Sequence, residues 1–265
     1  MAETTHPDNP RGLPVAVGTG AASGIGAALA AALAERGHCV ALAARRAERL
    51  AAVAAQIHSR GGAAFAVPTD ATDPGAVAAL CAAARARGAV TVVVANAGVY
   101  GRGLATEVTA AALDAALRDN FWSAFHLAQA ALPLLRERRG QLVFVASFDA
   151  KKGLPMDAAY ATAKCALAGY AASLRQALHG SGVQVGIAFP GRVDTPMIDH
   201  VAVPWASPKI PTERAVRAIL WLLRHRRAEV VVPWWCRPLW WADVLSPRLG
   251  DWLVRVLRLD GSVRG

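Results

Sequence analysis

The sequence predicts an α/β fold: a doubly wound parallel sheet in a single domain, with a helical C-terminal extension. Three observations predict it. Short β-branched or apolar runs alternate with longer helical patterns along the chain. The runs are apolar on both faces, as strands covered by helices on each side must be. No internal repeat or linker divides the 265 residues, a length that buries a sizeable core.

The strands are expected at 14–19 (PVAVGT), 39–44 (CVALAA), 63–68 (AAFAVP), 90–96 (VTVVVAN), 141–147 (QLVFVAS), 183–189 (VQVGIAF) and 229–233 (EVVVP). Helical patterns over 26–36, 46–59, 74–87, 109–138, 157–179 and 212–227 separate them. Right-handed crossovers then wind the sheet in both directions from its middle. Residues 14–200 form the core unit, and residues 201–265 add a substrate loop, the last helix and strand, and a Trp/Arg-rich extension of the same domain.

Composition narrows the function classes. Apolar residues make up 54% of the chain and charged residues 18%, which argues for a folded chain. The four cysteines, Cys39, Cys81, Cys165 and Cys236, are widely spaced. They suggest neither a disulfide framework nor a metal site, so a reducing, cytoplasmic compartment is expected, with no metal. The first fourteen residues lack the apolar core of a signal peptide and read as a loose tail. No transmembrane run is present. The formal charge is +10, and residues 201–265 carry eleven basic residues against five acids. Nucleic acid and an anionic membrane are candidate partners for such a surface. No helix-turn-helix, zinc-finger or RNA-binding pattern supports nucleic acid, and none is expected as a partner.

The first strand runs into GTGAASGIG, with Gly20, Gly24 and Gly26 ahead of a helix. Glycines there permit a tight turn and close approach of a phosphate to the backbone, with the helix N-terminus pointing at it. Placed between strand and helix, the run favours a Rossmann-like dinucleotide site over an ordinary turn. The second strand ends at Ala44, Arg45 and Arg46. An acid at that position commonly binds the ribose 2′-hydroxyl of NAD. Arginine instead suits a 2′-phosphate, so NADP is expected as cofactor, NADPH preferred over NADH, with Arg45 as the phosphate contact and Arg46 as its helper.

Beyond this turn stand TGAASGIG (19–26), ANAG (95–98), Asn120, Ser147 in LVFVAS, YATAK (160–164) and PGRVDTPM (190–197). In this order and spacing the chain resembles the short-chain dehydrogenase/reductase (SDR) family over roughly residues 14–200. Two positions depart from the family pattern: Gly18 replaces a bulky strand residue, which would loosen the end of the first strand, and Ala95 replaces an asparagine.

The resemblance implies an oxidoreductase that interconverts a carbonyl and an alcohol by hydride transfer. Tyr160 and Lys164 lie one helical turn apart. A free tyrosine titrates near about 10, and an ammonium beside it favours the phenolate. Tyr160 is therefore expected as general acid and base. Lys164 is expected to lower its pKa and, by resemblance, to bind the nicotinamide ribose. Ser147, thirteen residues ahead of Tyr160, would hold the substrate oxygen, and Asn120 would position a water that relays protons to the lysine. The resemblance also assigns Ser23 and Ile25 of the glycine-rich turn, Asp70 (adenine), Asn96 (cleft support), Tyr160 beside Lys164, and Val193 and Thr195 (carboxamide) to cofactor binding.

For the substrate, Phe148, Leu154, Met156 and Met197 are the candidate pocket residues and suggest an apolar small molecule. Asp149 and Arg192 are candidate polar contacts of undetermined direction. A homo-oligomer is the family default. Five of the eight tryptophans lie at 234–252, and Leu245, Leu249, Trp252, Leu253, Val256 and Leu257 fall on one helical face, apart from Arg248, Asp251, Arg255 and Arg258. Such a segment can cover the pocket, meet another subunit, or lie peripherally on a membrane. The alternative to an enzyme is a non-catalytic dinucleotide-binding redox sensor or scaffold. The joint presence of Asn120, Ser147, Tyr160 and Lys164 argues against it.

Overall fold

The structure, a computed structural model, describes residues 6–199, 201 and 203–259. Among them, seven strands form one parallel sheet: β1 (Val15–Thr19), β2 (Cys39–Ala44), β3 (Ala63–Pro68), β4 (Val90–Ala95), β5 (Gln141–Val145), β6 (Gln184–Pro190) and β7 (Glu229–Val232). Their order is β3-β2-β1-β4-β5-β6-β7. The order reverses between β1 and β4, which opens a crevice at their carboxyl ends. This is the expected doubly wound sheet.

Helices α1 (Gly24–Ala34), α2 (Ala47–Ser59) and α7 (Thr212–Arg224) cover one face through Leu29, Leu50 and Ile219. Helices α3 (Pro74–Arg87), α5 (Ser123–Arg138) and α6 (Ala158–Ala177) cover the other through Leu80, Leu127 and Leu167. Local chemistry sets their starts. Asp73 caps α3 by accepting from the Gly75 amide at 2.8 Å, with Pro74 next in line.

Several expectations change. The helix expected over 109–138 is two helices, α4 (Ala110–Leu117) and α5, joined by a π-helical turn over Arg118–Trp122 that contains Asn120. No glycine or proline marks a break between Ala110 and Trp122, so the sequence carries no signal for the turn. Gly18 does not loosen β1: it keeps its register with Leu42 and Val94. Residues 6–13 are no loose tail. Asn9 is buried and bonds the Leu13 and Arg87 carbonyls at 2.8 Å, and Asp8 pairs with Arg87 at 2.7 Å. These polar residues latch the entry to β1. Residues 1–5 of the expected tail, and residues 202 and 260–265 of the expected extension, lie outside the described residues.

The extension is a hairpin of two helices, α8 (Cys236–Leu245) and α9 (Pro247–Val256), not one helix. Ser246 is extended and Pro247 opens α9, so Leu245 and Leu249 sit on different helices. Gly250 makes the close packing possible, because a Cβ there would collide with Asp243.

Candidate active site

Two joined cavities occupy the carboxyl edge of the sheet. The larger, about 510 Å³, is lined by Gly20, Ser23, Gly24, Ile25, Arg45, Arg46, Asp70, Asn96 and Thr195. The backbone requires its glycines. Gly20 and Gly24 have φ of +66° and +53°. A Cβ on Gly26 would collide with the Gly20 carbonyl, and one on Gly20 would lie 2.8 Å from Asn96 Nδ2. Asn96 supports this turn by donating from Nδ2 to the Thr19 carbonyl at 3.1 Å, while Thr19 Oγ1 accepts from the Asn96 and Ala97 amides. Ser23 stands at the N-cap of α1 without bonding it through its side chain. Bare glycine backbone facing a helix N-terminus fits a dinucleotide phosphate. Arg45 and Arg46 line the same cleft, and no ion pair occupies either among the described residues. At the rim, Asp70 accepts from the Thr72 amide at 2.9 Å and from its hydroxyl at 2.8 Å, which holds the carboxyl below its usual range.

The smaller cavity, about 190 Å³, shares Ile25, Asn96, Gly98, Thr195 and Met197 with the first. Asn120, Ser147, Tyr160 and Lys164 all line it, and all four are buried. Tyr160 and Lys164 project from one face of α6, with Lys164 Nζ 5.5 Å from the phenol ring centre and bonded to the Val145 carbonyl at 3.3 Å. The ring of Tyr100 packs edge-on against Tyr160 at 5.1 Å. Ser147 lies just beyond β5 and opens a 3-10 turn over Phe148–Ala150. Asn120 uses both side-chain amide protons and one acceptor site. It donates to the Val99 and Ala116 carbonyls at 2.9 and 3.0 Å and accepts from the Val99 amide at 3.2 Å. It thereby locks the segment after β4 against the π-helical turn.

Phe148, Leu154 and Met197 line the cavity as expected, and Val193 joins them. Met156 does not. The chain pairs there with Gly103, the Met156 carbonyl accepts the Gly103 amide at 2.9 Å, and Asp157 is the residue turned inward. Asp149 and Arg192 both face the cavity.

Residues 14–203 match the family model described as short chain dehydrogenase. The chain belongs to the short-chain dehydrogenase/reductase family. It is 40% identical over 195 residues to a 1-deoxy-11-beta-hydroxypentalenate dehydrogenase of Streptomyces avermitilis, covering 71% of this chain and 72% of that one. It is 30% identical to the ketoacyl reductase HetN of Nostoc sp., covering 81% and 76%. Among solved structures, an actinorhodin polyketide ketoreductase with NADPH superposes with a TM-score of 0.77 at 26% identity, over 83% of this chain and 95% of that one. An alcohol dehydrogenase from Thermococcus sibiricus complexed with 5-hydroxy-NADP matches with a TM-score of 0.76 at 26% identity, over the same shares. This SDR is accordingly an NAD(P)-dependent oxidoreductase of carbonyl and alcohol groups.

Electrostatics in this SDR site differ from the sequence expectation in one respect. Lys164 does not pull the Tyr160 phenol down. Burial pushes it up, the Asp149 and Asp157 carboxylates add to the rise, and the Ser147 hydroxyl opposes it. Lys164 itself is brought down to about 8 by burial, against the pull of Asp149. Asp149 is raised to about 6, first by burial and then by Asp157, while Ser147, Arg192 and Lys164 counteract. Sealing an ammonium and a phenol in one apolar site penalises both charged forms.

The C-terminal segment covers the pocket, one of the three placements expected for it, through residues the sequence did not single out as pocket lining. Trp235, Cys236, Leu239, Leu257 and Leu259, all from the extension, line the substrate cavity. Lys152 bonds Asp243 and Asp251 at 2.6 Å each, tying α8 and α9 to the segment after Ser147. Lys151 pairs with Glu229 at 3.0 Å and lies 4.0 Å from the Trp240 ring centre. The Lys-Lys pair after Ala150 was a readable signal, but its acidic partners stand some ninety residues away.

Proposed function

We propose that this SDR is an NADPH-preferring reductase of apolar ketones, with Tyr160 as proton donor. The supporting observation is the convergence of Asn120, Ser147, Tyr160 and Lys164 on one buried cavity that opens into the glycine-lined cleft. Gly20, Ser23, Gly24, Ile25 and Gly26 would hold the pyrophosphate, Arg45 and Arg46 the 2′-phosphate, Asp70 the adenine, and Val193 and Thr195 the carboxamide. Bound NADPH supplies the hydride. Ser147 hydrogen-bonds the substrate oxygen and holds it against Tyr160 Oη. The raised phenol keeps its proton until the oxygen gains negative charge, then transfers it and completes the alcohol. Lys164 binds the nicotinamide ribose and, with Asn120 and its water, returns a proton to the phenolate. A screen of apolar ketones with NADPH and NADH, followed at the nicotinamide absorbance band, tests the reading. Arg45→Asp is expected to reduce kcat/KM with NADPH roughly tenfold or more, as loss of a charged phosphate contact does, and to leave NADH turnover nearly unchanged. An equal loss with both cofactors contradicts the assignment of Arg45.

We also propose that the outer face of α8 and α9 rests on an anionic membrane. Trp241, Val244 and Leu245 are exposed on α8, and Leu249, Trp252 and Val256 on α9, among exposed Arg237, Arg248, Arg255 and Arg258. Tryptophan with arginine suits a lipid interface. Among the described residues no helix is long and apolar enough to cross a membrane, so the contact would be peripheral. Flotation with phosphatidylserine vesicles is expected to carry the protein, at low salt more than at high. The Leu249→Glu/Trp252→Glu variant is expected to stay behind. No flotation of the wild type, or self-association abolished by the same pair, overturns the membrane assignment.

A further inference from the structure

Asp149 stands out among the polar groups of the substrate cavity. Its Oδ2 accepts the Ser147 hydroxyl at 2.9 Å. Its Oδ1 takes no hydrogen bond among the described residues and is not among the sealed, unpartnered atoms, so it faces the open cavity. Among the described residues, no lysine or arginine forms an ion pair with it. The other carboxylate there, Asp157, is already engaged by the Tyr100 hydroxyl at 2.7 Å and by Arg102 at 3.6 Å. The rest of the wall is largely apolar. A carboxylate oxygen open to an otherwise apolar cavity is free to accept a hydrogen bond from a group that enters it.

We propose that Asp149 is the recognition point of this cavity and that it binds a hydroxyl on the carbon next to the reacting one, so that the substrate is an apolar α-hydroxy ketone or the corresponding vicinal diol. This rests on the oxidoreductase reading above. Position sets the regiochemistry. Ser147, which would hold the reacting oxygen, and Asp149 are one hydrogen bond apart, so a second oxygen on the adjacent carbon reaches the carboxylate. Charge sets the class of donor. Lys164 and Arg192 favour the charged form of Asp149, and the Asp157 carboxylate opposes it. With Asp149 itself, the two cations and two carboxylates leave the site near neutral, which suits a hydroxyl and disfavours an ammonium. Recognition is also linked to chemistry. A substrate hydroxyl donating to the carboxylate weakens its hold on Ser147, and the serine proton becomes available to the carbonyl. A plain ketone leaves Ser147 tied to Asp149.

The test compares cyclohexanone, its 2-hydroxy derivative and its 4-hydroxy derivative, each reduced with NADPH by the wild type, Asp149→Asn and Asp149→Leu. NADPH binding, followed by fluorescence, confirms that each variant is folded. The wild type is expected to favour the 2-hydroxy compound over cyclohexanone by roughly tenfold or more in kcat/KM, the worth of a hydrogen bond to a charged group, and to show no such preference for the 4-hydroxy compound. In Asp149→Leu the ratio should fall to about one, with Asp149→Asn between. Turnover by the wild type without that preference, or an equal preference in Asp149→Leu, overturns the assignment of Asp149 alone. NADPH binding without turnover of any ketone overturns the oxidoreductase reading and this inference with it.

Discussion

Replacing Tyr160 with phenylalanine is expected to lower kcat for ketone reduction roughly thousandfold, within the usual range for removal of a general acid, and to leave NADPH affinity nearly unchanged. The ring stays in place because its edge-on contact with Tyr100 and its burial depend on shape. Only the hydroxyl is lost, and no neighbour can replace it. Lys164 lies 5.5 Å from the ring centre and is directed at the Val145 carbonyl, while the Ser147 proton is committed to Asp149. Steady-state turnover with a ketone and fluorescence titration of NADPH separate the two effects. Near wild-type turnover would remove Tyr160 from the chemistry. Equal loss of binding and turnover would make it a cofactor residue.

Gly98→Ala is the second large effect. A Cβ at this position would lie 2.5 Å from Asn120 Oδ1 and 3.3 Å from Lys164 Nζ. Asn120 cannot yield without breaking its paired bonds to Val99. Either the segment after β4 shifts or the Asn120–Lys164 arrangement opens. Overpacking of this kind costs about 1–3 kcal/mol of stability, and displacement of catalytic groups by an ångström costs roughly a hundredfold in rate. Chemical unfolding and kcat/KM are both expected to fall. Wild-type values for both would show that the close approach of backbone to Asn120 is not required.

The parts of this SDR legible in its sequence are those set by local constraint. Gly20, Gly24 and Gly26 reveal the dinucleotide turn because only glycine accepts that backbone and that spacing. Tyr160 and Lys164 are legible because a helix places residues four apart on one face, and Arg45 because a strand's end fixes its place beside the cleft. The strands at 39–44 and 63–68 are found to the residue, since both are apolar throughout. Asn96 and Ser147 were read as strand, yet both stand past the last ladder pair. Apolarity continues beyond the point where pairing stops.

What was not legible depends on distant partners. The direction of Asp149 follows from a 3-10 turn whose first cap is Ser147 itself. The inward turn of Asp157, which displaced Met156 from the pocket, depends on a bridge to Gly103. Leu257 and Leu259 line the cavity beyond a helix pair that Lys152 ties down through Asp243 and Asp251. The expected influence of Lys164 on Tyr160 failed for a similar reason. Proximity along a helix was readable, but the depth of burial that governs both pKa values was not.

Transfer of the nicotinamide hydrogen most directly tests the claim that this cavity reduces a carbonyl. The protein would be incubated with NADPH deuterated at nicotinamide C4, on each face in turn, and an α-hydroxy ketone, and the product analysed by mass spectrometry. Deuterium on the new carbinol carbon from one face only, and none with Tyr160→Phe, is the predicted result. Saturable NADPH binding with no deuterium in any product would identify a dinucleotide-binding protein without this chemistry.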